Sequence, residues 1–221
     1  VSSVLKGEFY AEVMDLTSEE TVKRLKSKVE KIQKKHKTDL HLVHYGSASD
    51  TKVALPGDTV FIGPMDSPPQ AAADLIAANI VPWLNLIQVF MPIFNRQKIT
   101  KIIVISAVAV TRVLPRATLD NVQKGAVHAM ARSLAVDLTK DRIYVTEIMP
   151  GYTDTGFYDG DLTLKNTLHQ LNEFNYKYDD DSLPVFSGQK VGEAVKYSLM
   201  SDTHVREISL VPYGQMPHLG A

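Results

Sequence analysis

A chain of 221 residues, 44 % hydrophobic and 22 % charged, has the size and balance of one α/β domain. Its formal charge of −1 leaves no global field to draw it to nucleic acid or to a membrane surface, so neither partner is expected. The absence of cysteine excludes disulfides, thiolate metal sites and thiol catalysis.

No apolar run is expected to reach the ~18–20 residues of a membrane span. The start, VSSVLKGEF, lacks a basic stretch followed by an apolar one. A cytoplasmic location is therefore expected.

Residues 8–14, EFYAEVM, alternate and are rich in β-formers, which predicts a strand. Thr17 or Ser18, with Glu20, then signals a helix start. Val22, Leu25, Val29 and Ile32 form one stripe of that helix, and its many lysines read as the solvated face opposite. DLHLVHYGSAS, 39–49, predicts a second strand ending at Gly46. Residues 50–69 read as a loop with a short strand at TVFIG. From 70 to 94 the pattern is helical and strongly apolar, with Pro82 and Pro92 expected to kink or divide it. Such a helix is expected to be buried on two sides, with Trp83 at a helix interface.

KIIVISAVAV, 101–110, predicts the next strand, and the helix LDNVQKGAVHAMARSLAVDLT and the strand RIYVTEIM follow, running into PGYTDT. This spacing makes a βαβ unit, whose two strands lie parallel in one sheet. Ligands of open α/β sheets sit at the carboxyl ends of the strands, here Ser106–Ala107 and 150–155. Residues 156–186 are polar and aromatic with weak periodicity and read as a flap over the crevice. A helix at 187–201 and a strand at 205–215 close a β-α-β-α-β-α-β-α-β order, so a single doubly wound parallel sheet flanked by helices is expected over residues 1–221. No metal site is expected: His41 and His44 are three apart on a strand and face opposite sides.

Five motifs in order resemble the short-chain dehydrogenase/reductase family over nearly the whole chain. DLT at 15–17 is similar to its Asp-Val-Thr turn, and LVHYGS at 42–47 to its Leu-Val-Asn-Asn-Ala-Gly. Asn79 falls on its helical Asn, and ISAVAV with Pro115 and DNVQK on its Ile-Ser-Ser, Pro and Tyr-x-x-x-Lys. PGYTDT is similar to its Pro-Gly-x-x-x-Thr. The resemblance implies a Rossmann-like fold, NAD or NADP as cofactor, a small-molecule carbonyl or alcohol substrate, and a homodimer or homotetramer. It implies that Asp15 and the Leu16 amide hold the adenine and that His44 and Gly46 line the adenosine wall. It further implies that Lys124 holds the nicotinamide ribose, and that Pro150, Gly151, Thr153 and Thr155 hold the nicotinamide amide.

Asn79, Asp120 and Lys124 stand at the family's catalytic positions, but Asp120 replaces the proton-donating Tyr and Ala107 the carbonyl-orienting Ser. Ser106, one residue earlier in a strand, points to the other face. The unperturbed pKa of Asp is about 3.9 against about 10 for Tyr, so Asp120 is a poor acid at neutral pH, though a possible base. Asp120 and Lys124 also read as an ordinary i,i+4 ion pair. The family's Gly-rich pyrophosphate turn has no counterpart here, and the expectation is that some ~40–50 residues of the natural protein precede this sequence. Three readings stand open: an oxidoreductase with an altered proton relay, a catalytically inactive relative with a regulatory or structural role, and a lyase or isomerase using Asp120 as base.

Overall fold

The computed structural model describes residues 10–45, 64, 65, 67–94, 97–111, 113, 117–155 and 184–215. Helix α1 (Glu19–His36) starts where Ser18 Oγ accepts from Thr21 N at 3.4 Å. Glu19 and Glu20 in its first turn and Lys34, Lys35 and His36 in its last complement the helix dipole. Val22 is fully buried, and Leu25 and Val29 pack behind it, as the apolar stripe predicts.

β1 (Leu42–Tyr45), β2 (Thr100–Ile105) and β3 (Ile143–Pro150) pair in parallel. α2 (Pro69–Phe90) precedes β2, and α3 (Thr118–Asp137) links β2 to β3. β4 (Thr153–Asp154) and β5 (Phe186–Ser187) form a separate two-stranded pair. α4 (Gly188–Met200), capped by Ser187 Oγ on Gln189 N, leads to β6 (Glu207–Leu210). The main sheet has the order β1-β2-β3-β6, all parallel.

Side chains alternate across this sheet. Ile102, Val104 and Val145 join Trp83, Leu86 and Val127 in the main core, on the face covered by α1, α2 and α3. Lys101 points the other way, and its ammonium caps α4 by donating to the carbonyls of Ser198, Leu199 and Ser201. α4 therefore covers the second face. This is the expected doubly wound arrangement, with every strand running its carboxyl end toward one edge.

Several local expectations are corrected. Residues 10–14 form no strand, and Val13 is fully exposed: an alternating pattern becomes a strand only where a ladder partner is at hand. Among the described residues the sheet has four strands where five were expected. The strand from 101 stops at Ile105, and Val108–Val110 form a 3-10 turn, because valines specify burial as readily as a ladder. α2 runs unbroken through Pro82 and gives way to a 3-10 turn at Met91–Ile93, which holds Pro92. Tertiary burial of its face outweighs one lost hydrogen bond. Trp83 is wholly buried, in one core cluster with Val22 of α1, Val127 and Ala131 of α3 and the sheet residues Ile102 and Val104. Contrary to expectation, Pro69–Ile93 is long and apolar enough to cross a membrane by length and composition; here it carries core residues such as Leu75 and Leu86. The last strand is confined to Glu207–Leu210. Gly46, TVFIG and residues 156–183 of the flap lie outside the described residues.

Candidate active site

The carboxyl edge of the sheet is built from Tyr45 at the end of β1, Ser106–Ala107 beyond β2, and the 150–155 turn beyond β3. The N-terminal half of α3 lies over this edge with Asp120, Gln123 and Lys124, and α2 contributes Asn79. Gln123 joins the expected residues. Asn79 Nδ2 donates to the Leu75 carbonyl (2.9 Å) and to Gln123 Oε1 (2.8 Å), and Gln123 Nε2 donates to Asp120 Oδ1 (2.8 Å). A carbonyl only accepts, so Leu75 fixes the orientation of Asn79, which fixes that of Gln123. Asp120 thus ends the chain as an acceptor. Amides carry hydrogen-bond polarity but do not relay protons at neutral pH, so this chain holds Asp120 in place without feeding it a proton.

Lys124 is buried, at 6 % exposure, and its Nζ lies 5.6 Å from the centroid of the Tyr45 ring. That is a cation–π distance. The expected neighbours Asn79, Asp120 and Lys124 are therefore gathered at one place, and Tyr45, which the sequence reading did not single out, completes the group.

His44, on the opposite face of β1, packs edge-on against Trp83 with ring centroids 4.7 Å apart. Burial depresses its pKa to about 4, so the ring is neutral at physiological pH. Asp15 Oδ1 accepts from the Thr17 amide (2.9 Å) and hydroxyl (2.6 Å). Asn85 Nδ2 ties that turn to α2 through the carbonyls of Leu16 (3.0 Å) and Thr17 (2.9 Å).

The 150–155 turn is pinned from behind. Gly151 N donates to the Leu210 carbonyl (2.6 Å), and the Tyr152 amide donates to Gln215 Oε1 (3.0 Å). A Cβ on Gly151 would collide with the end of that same Gln215 side chain, so a larger residue there has to displace the group that accepts from Tyr152 N. Thr153 Oγ1 donates to the Gly151 carbonyl (2.9 Å), and Thr155 Oγ1 to that of Thr153 (3.5 Å).

The Ser106 hydroxyl, just beyond β2, donates to Glu147 Oε1. Glu147, 2 % exposed, presents Oε2 to His128 Nδ1 at 2.6 Å. This buried carboxylate ties the end of β2 to α3, one turn past Lys124. Only the structure reveals it, because an acid inside an apolar strand run carries no motif.

A family model described as enoyl-(acyl carrier protein) reductase matches residues 3–175. The chain belongs to the short-chain dehydrogenase/reductase family. Its fold is similar to that of a short-chain dehydrogenase from Mycobacterium paratuberculosis bound to NAD (TM-score 0.67, 20 % identity, 90 % of this chain and 72 % of that one). It is also similar to one from Burkholderia cenocepacia in complex with NADP (TM-score 0.65, 18 % identity, 93 % of this chain and 72 % of that one). Among curated proteins, an uncharacterized oxidoreductase of Staphylococcus aureus is 26 % identical over 140 residues, 62 % of this chain and 53 % of the relative. A chloroplastic tropinone reductase homolog of Arabidopsis thaliana is 27 % identical over 97 residues, 44 % of this chain and 30 % of its own length. The chain thus spans at most about half the length of these curated relatives.

Proposed function

We propose that this short-chain dehydrogenase/reductase is an NAD(P)-dependent oxidoreductase of a small carbonyl or alcohol compound, working with a proton path unlike that of its family. The observation that carries this reading is Lys124, a buried cation held at the carboxyl edge of the sheet on the helix where the family resemblance places its ribose-binding lysine. Relatives of the same fold were solved with NAD and with NADP.

The residues present suit the nicotinamide half of such a cofactor. The Lys124 ammonium is a donor for ribose hydroxyls, and the backbone and hydroxyls of the 150–155 turn offer donors and acceptors for a carboxamide. When bound, the nicotinamide gives or takes a hydride. Pinned through Leu210 and Gln215, the turn holds its backbone groups in fixed positions, which lowers the ordering cost of binding.

A second reading, a catalytically inactive relative with a regulatory or structural role, draws on the amide chain that immobilises Asp120. The lyase or isomerase reading needs Asp120 as a base, and Gln123 already occupies one of its oxygens. Nicotinamide fluorescence during titration with NADPH and NADH tests the first reading, followed by a panel of ketones and aldehydes. Saturable binding with consumption of reduced cofactor supports it. Binding without turnover across the panel favours the inactive relative.

We also propose a homodimer across α2 and α3, which leave Leu84, Val122 and Val136 exposed. Sedimentation as a single-chain species contradicts it.

A further inference from the structure

We propose that α1 docks the protein on the surface of an anionic lipid bilayer, through a row of cations on its outer face flanked by Tyr10 and Val13. The net charge of −1 conceals an uneven distribution: residues 19–37 hold eight Lys and Arg against three Glu. Salt screens charges beyond about 8 Å, so a partner at contact meets this local surplus and not the chain's total.

The helix sorts its residues by period. Val22, Leu25 and Val29 turn into the core. Arg24, Lys28, Lys31 and Lys35 follow at steps of four, three and four, which puts them on one stripe of the opposite side. All four are exposed, as are Lys34 and Lys37. The row is about 16 Å long. An ordinary solvated face mixes signs, because like charges three or four apart repel. Here the one acid between Thr21 and Thr38 is Glu30, paired with Lys26 off the row, and Glu20 stands one turn before Arg24 at the row's end. Attraction to the carboxyl end of the helix dipole accounts for Lys34 and Lys35, but Arg24, Lys28 and Lys31 lie before the last turn. Arg24, Lys31, Lys34 and Lys37 have no ion pair among the described residues.

The segment before α1 selects among polyanions. Glu12 Oε2 accepts from Lys28 Nζ at 2.6 Å, so Tyr10 and Val13, two residues and one residue away, stand near the row. Tyr10 is 54 % exposed and Val13 fully exposed. A bilayer interface takes up an aliphatic side chain, and an aromatic one with a polar tip, next to lysines. A nucleic-acid backbone offers Val13 no apolar phase, and the row itself holds no aromatic for base stacking. The occupant is therefore the headgroup layer of an anionic membrane, held by charge with a shallow apolar contact. This inference is independent of the oxidoreductase reading.

Cosedimentation with phosphatidylcholine vesicles, with or without about one-third phosphatidylserine, tests it on the purified protein. Wild type is expected to sediment with the phosphatidylserine vesicles and not with phosphatidylcholine alone, and to be released as salt rises from about 0.1 M to about 1 M. The triple variant Arg24→Gln, Lys31→Gln, Lys34→Gln should bind on the order of 100-fold more weakly, at an unchanged urea midpoint, and Val13→Ser severalfold more weakly. Lys31→Arg with Lys34→Arg keeps the charge and should bind as wild type does. Wild type that ignores the phosphatidylserine vesicles, or binds both kinds equally, overturns the inference. So does either weakening variant bound as tightly as wild type, or the arginine variant bound as weakly as the glutamine one. A protein that shifts a random-sequence DNA duplex and ignores the vesicles overturns it in favour of nucleic acid.

Discussion

Acid should weaken this fold chiefly through one ring. His44 is held against Trp83 inside the core, and burial lowers its pKa from 6.5 to about 4. The folded state therefore refuses a proton that the unfolded chain binds below about pH 6.5. Between these values the unfolded state carries more protons, so stability is fully present above the unfolded pKa and falls as the pH drops toward the folded one. Integrating the two titrations gives a loss of about 2 kcal/mol between about pH 7 and pH 5, and about 3 kcal/mol by about pH 4. His41 is shifted down as well, chiefly by burial and then by Lys101, with Asp39 opposing, and it acts in the same direction. The decisive comparison is therefore wild type against His44→Phe, which keeps an aromatic edge on Trp83 and cannot be protonated. Urea unfolding at a series of pH values should show His44→Phe losing about 2 kcal/mol less than wild type over that window. Parallel curves for the two proteins would refute the argument that His44 is buried and neutral.

Two further substitutions probe the supports of the site. Ser106→Ala takes the hydroxyl donor from the buried Glu147 carboxylate and should cost about 1–3 kcal/mol of unfolding free energy; an unchanged urea midpoint would mean that Ser106 does not serve Glu147. Gly151→Ala drives a methyl into Gln215 and should cost about 1–3 kcal/mol. Adding Gln215→Ala should recover part of that loss, so the double variant should be clearly less than additive, and strict additivity would contradict the contact.

The sequence carried the architecture well where local and long-range signals agreed. The βαβ unit between 100 and 150 announces itself because two apolar strands and an intervening helix of ordinary length admit one arrangement. The start of α1 at Thr17 or Ser18 is legible for the same reason, a cap being a local hydrogen bond, and Ser18 makes it; the cap at Ser187 was read as part of its helix. Residues 10–14 mislead because alternation describes a side-chain pattern, whereas a strand also needs a neighbour. Asp120 and Lys124 were placed by the resemblance of DNVQK to the family's motif, and the 150–155 turn by its position at the carboxyl end of a strand. Gln123 was not legible, because one polar residue among many on a helix gains meaning only when α2 brings Asn79 against it. Tyr45 was hidden likewise: its partner Lys124 lies far along the chain, and only the sheet brings them together. Glu147 and His128 meet across a strand and a helix, a contact no spacing rule encodes.

The account stands most directly on whether Lys124 holds a nicotinamide nucleotide. NADPH and NADH titrations of wild type and Lys124→Met, followed by nicotinamide fluorescence, measure it. Saturable enhancement in wild type, weakened at least about tenfold in Lys124→Met by loss of a charged hydrogen-bond donor, is the result predicted. No enhancement with either nucleotide up to millimolar concentration, or equal affinity in the two proteins, would contradict it.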